Sequence, residues 1–280
     1  MNIKIMSDST CDLSKELLEK YDIAIVPLTV IKDDKAYADG ITITTDEIFA
    51  HVAAGGNLCT TAAAGVLDYQ DRFVSFSKEF DAVIHISISS ELSSSYQNAC
   101  LAAEEFENVV VIDSRNLSTG QGLVVLKACE LVESGVAVDE IVEILNNFTS
   151  KVESSFLLDR LDYMVKGGRC TAVVALGANL LGLKPCIEVK DGKMGVVKKY
   201  RGNYAKSLAT YVKDRLADRD DLERTHLFVT HTPVPDECLR AVNDAISQYA
   251  NFENIYWTNA GCTVSCHCGP GTLGLLFVKQ

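Results

Sequence analysis

The stretch "ISISSELSSSYQNAC", residues 86–100, contains six serines in fifteen residues and follows an apolar run that begins at Ala82. An apolar run bounded by small polar residues is typical of a buried strand. Residues 95–106, which follow the serines, are predicted to be helical. This strand, loop and helix predict one unit of an α/β sheet, with the serines at the carboxyl end of the strand.

The rest of the first half repeats this alternation. A polar turn, "DDKAYADG", is predicted at 33–40. Strands bounded by helices predict an N-terminal domain, residues 1–152, with a parallel, doubly wound sheet. We predict strands at 2–6, 23–31, 82–88 and 109–112, and helices at 14–21, 45–52, 65–80, 95–106, 117–133 and 138–152.

The second half has a different pattern, which predicts a C-terminal α/β domain, residues 153–280, with a mixed or antiparallel sheet. Asp191-Gly192 is a hairpin signal between strands at 186–189 and 194–198. A helix, a glycine turn and a second helix are predicted over 161–182. The remaining predictions are an extended segment at 156–158, helices at 203–218 and 235–249, and strands at 226–230, 254–257, 263–267 and 273–278.

Composition excludes several classes of function. The net charge of −12 over 280 residues disfavours binding to nucleic acid or to an anionic membrane. No apolar run reaches the length of a transmembrane helix, and the N-terminus has no signal-peptide pattern. Ten cysteines, most of them in apolar segments, are typical of reduced core residues in a cytoplasmic protein.

Three loops that follow first-half strands are rich in hydroxyl groups. They are "SDSTCD" at 7–12, "SISSELSSS" at 87–95 and "DSRNLSTG" at 113–120. Carboxyl ends of parallel strands lie on one edge of a sheet, where ligands bind. The alternative is that Asp12, Ser93 and Ser118 only cap helices.

Two further stretches offer ligand contacts. In "CTTAAAG", 59–65, Thr60 and Thr61 precede a predicted helix, whose N-terminus is a possible anion site, although capping of that helix explains the two hydroxyls about as well. In "KGGR", 166–169, Arg169 can bind a carboxylate or phosphate, or can simply be an exposed arginine beside a turn.

The densest polar stretch is "CTVSCHCGPGTLG", 262–274. Its three cysteines and His267 do not have zinc-like spacing, so we predict no metal site. Gly269, Gly271 and Gly274 match a dinucleotide-binding spacing but do not precede a helix, so we expect no bound cofactor. His267 beside a glycine turn with free backbone N–H groups remains a candidate anion contact.

Read together, these landmarks resemble the DegV family, bacterial fatty-acid-binding proteins of the FakB type. The resemblance covers the whole chain. It is carried by "SDST-DL" at 7–13, "SSELSSSYQNA" at 89–99, "DS…STGQG" at 113–122, "LDYMVKGGR" at 161–169, "LLGLKP" at 180–185 and "HCGPGTLG" at 267–274.

The resemblance implies a non-enzymatic, cytoplasmic carrier made of two α/β domains with a long-chain fatty acid between them. A partner fatty acid kinase would phosphorylate the bound acid to an acyl-phosphate for phospholipid synthesis. The implied carboxylate contacts are Ser93, His267 and either Thr60 or Thr61. Secondary candidates are Ser95, Gly269, Arg169 and Arg201.

One alternative function stays open on the residues alone. The same loops suit an enzyme that acts on a small phosphorylated or carboxylated metabolite. Such an enzyme needs a short polar pocket, whereas a carrier needs a long apolar tube. The sequence shows no nucleophile elbow and no phosphate-binding Walker loop, which favours the carrier.

Overall fold

A computed structural model of the chain describes residues 1–174 and 182–280. They form two compact units, one with a parallel sheet and one with a mixed sheet, so the predicted two-domain α/β fold is confirmed. The first unit comprises Met1–Val152, Asp191–Lys193 and Gly261–Thr263, and the second comprises Glu153–Lys190, Met194–Ala260 and Val264–Gln280.

The first unit is built on a four-stranded parallel sheet with strand order β2-β1-β6-β7. The seven strands of the first unit are β1 (Ile3–Asp8), β2 (Ala24–Val26), β3 (Thr29–Lys32), β4 (Lys35–Ala38), β5 (Thr60–Ala62), β6 (Ala82–Ser87) and β7 (Val109–Asp113). Its helices are α1 (Lys15–Lys20), α2 (Thr45–Ala53), α3 (Val66–Glu79), α4 (Ser95–Ala103), α5 (Ser118–Glu133) and α6 (Val138–Phe148).

Helix α3 packs on this sheet through an apolar face. Tyr69 and Phe73, one turn apart, are fully buried and cluster with Met6 of β1 and Val83 of β6. Burying two aromatic rings stabilises the unit by several kcal/mol, at about 25 cal/mol per Å² of apolar surface. The packing fixes the carboxyl ends of β1 and β6, where the polar loops begin.

A second, antiparallel sheet of the first unit has the order β4-β3-β5. Asp33 and Asp34, between β3 and β4, both have positive φ angles, as a tight hairpin turn requires. The predicted polar turn at 33–40 is therefore wrong in extent, because it contains strand β4. The predicted strand at 23–31 is also wrong, because Pro27 lies between β2 and β3, which belong to different sheets.

The second unit has a six-stranded mixed sheet with the order β10-β9-β8-β13-β11-β12. Its strands are β8 (Val152–Leu158), β9 (Leu183–Lys190), β10 (Lys193–Arg201), β11 (Leu222–His231), β12 (Asn254–Asn259) and β13 (Thr272–Lys279). Its helices are α7 (Asp162–Gly167), α8 (Thr171–Val174), α9 (Tyr204–Leu216), α10 (Asp236–Tyr249) and α11 (Cys262–Cys268), the last of which begins in the first unit.

The core of the second unit lies between its sheet and helices α9 and α10. Tyr211 and Leu208 of α9 cluster with Leu227 of β11 and Phe277 of β13. The hairpin predicted at Asp191-Gly192 is confirmed, with φ angles of 51° and 80° at the two turn residues. Both angles lie in the left-handed region that such a turn needs.

Two predicted elements, one in each half of the chain, are wrong. Residues 263–267 are not a strand but the centre of helix α11. The helix predicted at 138–152 ends at Phe148, and a 3-10 turn leads into β8. Most of the second helix predicted within 161–182, and the start of "LLGLKP", lie outside the described residues.

Candidate functional site

The three hydroxyl-rich loops do begin at one edge of the parallel sheet. They follow β1, β6 and β7, which pair in parallel with one another. The second and third loops are cross-linked by Asp113, whose carboxylate accepts hydrogen bonds from the backbone N–H groups of Ser90 (3.2 Å) and Arg115 (2.9 Å). The predicted meeting of these loops is confirmed within the first unit.

The capping alternative is wrong for Asp12 and Ser118. Ser14, not Asp12, accepts the capping hydrogen bond of α1, and α5 begins at Ser118 itself. For Ser93 capping holds in part, because its hydroxyl accepts from the backbone N–H of Ser95, the first residue of α4. Asp12 and Ser118 instead bond to each other, with the hydroxyl donating to the carboxyl group at 2.6 Å.

Asp12 is buried and has an unusual acidity. Its other carboxyl oxygen accepts a hydrogen bond from the backbone N–H of Gly261 at 2.9 Å. Burial, together with the nearby charge of Asp39, raises the pKa of Asp12 to about 8, against the lowering effect of its bonds from Ser118 and Gly261. The carboxyl group therefore holds its proton over much of the neutral range.

Ser93, the main carboxylate contact implied by the resemblance, is partly exposed. Its hydroxyl oxygen lies 2.9 Å from that of the fully buried Ser95, and the backbone N–H of Ser95 donates to it at 3.2 Å. Ser93 is thus the partly exposed member of a pair of hydroxyl groups at the start of α4.

Asp8 is fully buried at the end of β1. Its carboxylate accepts hydrogen bonds from Tyr69 (2.7 Å), Ser87 (2.6 Å) and the backbone N–H of Ile88 (2.8 Å), and pairs with His85 (3.1 Å). Burial alone would raise the pKa of Asp8, but the charge and hydrogen bond of His85, with the two hydroxyl donors, lower it below its usual value.

Thr60 and Thr61 do not lie at a helix N-terminus. Both belong to strand β5, which pairs with β3, and α3 begins only at Val66. Thr60 is exposed, and Thr61 is half-buried. Strand pairing extends through Ala62, and Asp68 caps the helix by accepting from the backbone N–H of Gly65 (2.7 Å). The two threonines therefore do not cap this helix, and their role in anion binding stays a prediction.

In the second unit the structure brings His267 together with the "KGGR" turn. A side chain at Gly167 would place its Cβ only 2.3 Å from Nδ1 of His267, so only glycine leaves room for the ring. Burial and the neighbouring charge of Arg169 lower the pKa of His267 to about 4. The imidazole is therefore neutral at pH 7 and has one N–H to donate and one nitrogen to accept.

The remaining secondary candidates lie in different settings. Arg201 is exposed at the end of β10, and the exposed Arg169 donates to the carbonyl of Gly167 at 2.7 Å. The N–H of Gly269 donates to the carbonyl of Ser265, and that of Gly271 donates to Pro233. The expectation of free backbone donors at this turn is wrong, because the turn ends helix α11 and its N–H groups satisfy nearby carbonyls.

Metal and membrane features can be assessed over residues 1–174 and 182–280. In that part of the chain no group of three or more His, Cys, Asp or Glu side chains is placed to hold a metal ion. No helix there has the length and hydropathy to cross a bilayer. All ten cysteines are thiols.

Comparison with known proteins gives the family. A family model described as "Uncharacterised protein, DegV family" matches residues 2–280. The chain belongs to the DegV family. A DegV domain-containing protein of Clostridium perfringens is 34% identical over 99% of both chains.

Two solved structures are similar to this one over nearly the whole chain. One is a fatty-acid-binding DegV family protein from Thermus thermophilus, with 28% identity, a TM-score of 0.93 and full coverage of both chains. The other, a stearic-acid-binding protein from Eubacterium ventriosum, has 29% identity and a TM-score of 0.84, and the match covers 99% of this chain and 98% of that one.

The sequence patterns did not reveal the buried polar residues beneath the three hydroxyl-rich loops. Gln121 donates to Ser7 (2.9 Å) and accepts from Thr10 (2.9 Å), and so links two of the motifs that carried the family resemblance. The patterns place Tyr69 only in the helix predicted at 65–80 and His85 only in the strand predicted at 82–88, with no role for either side chain. The available signal was His85 itself, a polar residue inside the apolar strand "AVIHIS" and fully buried.

Proposed function

We propose that this chain binds one long-chain fatty acid and presents its carboxylate to a partner fatty acid kinase. The chain would then be a cytoplasmic carrier rather than an enzyme, and the acyl-phosphate would supply phospholipid synthesis. Fatty acid binding by proteins of similar fold, one of them a DegV family protein, supports the first part of this proposal. The kinase step rests on the family resemblance.

The observation that carries the proposal is the uncharged donor set. Ser93 is a partly exposed hydroxyl, and the lowered pKa of His267, about 4, makes its imidazole neutral at pH 7. Neutral donors can hold a carboxylate by charge-assisted hydrogen bonds without forming an ion pair. A carboxylate held in this way keeps more of its nucleophilicity for attack on phosphorus than one clamped by arginine.

A titration with palmitic acid tests the proposed contacts. Each charge-assisted hydrogen bond is worth about 1.5–3 kcal/mol, so Ser93→Ala and His267→Ala should each weaken binding by roughly one to two powers of ten. The double variant should lose less than the sum of the two, because both groups hold one carboxylate. We assign Thr61 or Thr60 as the third contact, to be distinguished by the two corresponding valine variants.

The matched control is Ser90→Ala in the same loop. The hydroxyl of Ser90 accepts a long hydrogen bond of 3.3 Å from Arg115, so its removal should change fatty acid affinity by less than about threefold. Circular dichroism verifies folding of each variant. Wild-type affinity in a folded Ser93→Ala variant would show that the serine loop does not meet the ligand.

The kinase step predicts a docking patch on the second unit. "KGGR" at 166–169 and "KKYR" at 198–201 concentrate positive charge in a chain of net charge −12, and Arg169 and Arg201 are exposed. Arg169→Glu or Arg201→Glu should slow acyl-phosphate formation by a partner kinase and leave about one fatty acid bound per chain. Arg240→Glu, an exposed change of the same charge on α10, should leave the rate unchanged. Unchanged rates in both test variants would reject this patch.

A further inference from the structure

The tip of the hairpin between β9 and β10 lies against the serine-rich loop at 87–95. This tip, Asp191–Lys193, groups with the first unit, although β9 and β10 pair within the sheet of the second. The hydroxyl of Ser89 donates to the carbonyl of Gly192 at 2.8 Å. Ser89 is fully buried, so water does not compete for this hydrogen bond. The tip is therefore an ordered part of the first unit, beside its polar loops.

Arg115, in the loop that follows β7, ties the tip to the same serine-rich loop. One of its Nη atoms donates to the carbonyl of Asp191, and the other donates to the hydroxyl of Ser90 at 3.3 Å. Two carbonyls of the tip are thus held, one by Ser89 and one by Arg115. We call these two hydrogen bonds the tip contact.

The close approach at the tip depends on glycine at position 192. A Cβ there would lie 2.6 Å from the hydroxyl oxygen of Ser89 and 2.9 Å from Cζ of Arg115. Both distances are too short for non-bonded atoms, so a side chain at Gly192 would have to separate the tip from both residues. An alanine at this position should therefore break the tip contact.

Ser89 also holds the backbone of the loop in which Ser93 lies. Its carbonyl accepts hydrogen bonds from the N–H groups of Leu92 (2.9 Å) and Ser93 (3.2 Å). Its own N–H donates to the carbonyl of Asn116 at 2.8 Å. A displacement of Ser89 would therefore move the backbone of Ser93, whose hydroxyl is the proposed carboxylate contact.

We propose that Gly192 and Ser89 are positioning residues for Ser93. The inference rests on the proposed function, since it concerns the same carboxylate contact. The carbonyl of Gly192 fixes the hydroxyl of Ser89, and the carbonyl of Ser89 fixes the N–H of Ser93. Hydrogen bonds weaken steeply with distance and angle, so a carboxylate needs its donor at one place. The hairpin tip thus determines where the hydroxyl of Ser93 meets the ligand.

Hydrogen exchange of the ligand-free, full-length chain, measured for single amides by NMR, tests the positioning directly. In Gly192→Ala the amides of Leu92 and Ser93 should exchange about fivefold faster than in the wild type. Ser89→Ala removes the hydroxyl of the tip contact and should have a similar effect. The matched control is Gly202→Ala. Gly202 also has a positive φ, +98°, but nothing lies within 4 Å of its Cβ position, so exchange at the two amides should not change.

Palmitate titrations of the same variants connect the tip contact to the ligand. Gly192→Ala and Ser89→Ala should each weaken binding about fivefold on their own, and less than about twofold when combined with Ser93→Ala. The second result distinguishes positioning from a structural role, because a general loss of structure would weaken binding equally with and without the Ser93 hydroxyl. Gly202→Ala should keep wild-type affinity.

The outcomes separate the tip contact from the proposed function. Unchanged exchange or unchanged affinity in Ser89→Ala overturns the inference, and so do equal losses of affinity with and without the Ser93 hydroxyl. Ser89→Ala decides the case if Gly192→Ala does not fold, because it leaves the turn glycine in place. A wild type that does not bind palmitate overturns the proposed function, whereas the exchange measurement reports on the tip contact without any ligand.

Discussion

The most informative single residue is His267, whose chemistry is set by its neighbours. Burial and the positive charge of Arg169 lower its pKa to about 4, and the backbone of Gly167 lies against its ring. Because the folded-state pKa is below the ordinary value of about 6.5, the folded chain releases a proton that the unfolded chain still binds. The stability that depends on neutral His267 is thus present above about pH 6.5 and lost as pH falls toward 4.

A change at Gly167 should displace this ring without altering the histidine. The Cβ of Gly167→Ala would lie 2.3 Å from Nδ1, so the imidazole must move. We expect palmitate affinity to fall by at least about tenfold, close to the effect of His267→Ala, since the donor is lost in both variants. Isothermal titration at pH 7.5 measures this effect.

Gly168→Asn is the matched control for that experiment. Gly168 has a φ of +67°, which asparagine tolerates, and nothing lies within 4 Å of its Cβ position. This variant should keep wild-type affinity. Equal losses in the two glycine variants would mean that the turn as a whole, and not the position of His267, determines binding.

Among the secondary-structure elements, helix α11 shows most clearly where local sequence reasoning stops. Apart from His267, its residues, "CTVSCHC", are small or β-branched, and all of them favour helix poorly, so the local sequence predicts a strand at 263–267. The helix is held by Asp39, whose carboxylate accepts from the backbone N–H groups of Cys262 (3.0 Å) and Thr263 (3.2 Å). This cap comes from 223 residues away in the chain, which no local pattern reveals.

The contact of Asp12 with the starts of α5 and α11 predicts a pH-dependent stability. Its pKa of about 8 exceeds the ordinary value of about 3.9, so between these values the folded chain holds a proton that the unfolded chain has lost. The stabilisation of the folded state by protonated Asp12 is therefore full below about pH 4. It is lost as pH rises to about 8, and the free energy of unfolding falls by at most about 1.4 kcal/mol per pH unit.

Asp12→Asn should remove this pH dependence of stability, because asparagine does not titrate. The variant keeps a group of the same shape that can bond to Ser118 and Gly261. Urea unfolding at pH 5 and pH 8 should therefore show a smaller loss of stability in the variant than in the wild type. Asp34→Asn changes the same charge at an exposed turn and should keep the wild-type pH dependence. Parallel pH profiles for wild type and Asp12→Asn would contradict the raised pKa.

At the scale of the whole molecule, the alternation of strands and helices was enough to predict two α/β domains. Strands β6 and β7 are largely apolar, β1 is apolar at Ile3, Ile5 and Met6, and Asp191-Gly192 marks the hairpin of the six-stranded mixed sheet. The candidate site was harder, because its parts are distant in sequence. Ser118 and Asp12 are 106 residues apart, and His85 and Asp8 are 77 apart. Such pairs depend on tertiary packing, so periodicity could not reveal them.

Native mass spectrometry of the purified chain tests the central claim most directly. The account predicts a species heavier than the chain by one long-chain fatty acid, loss of that mass on solvent extraction, and its return when palmitic acid is added. A chain that remains free of added fatty acids while still folded, or that carries a small polar metabolite in their place, would contradict it.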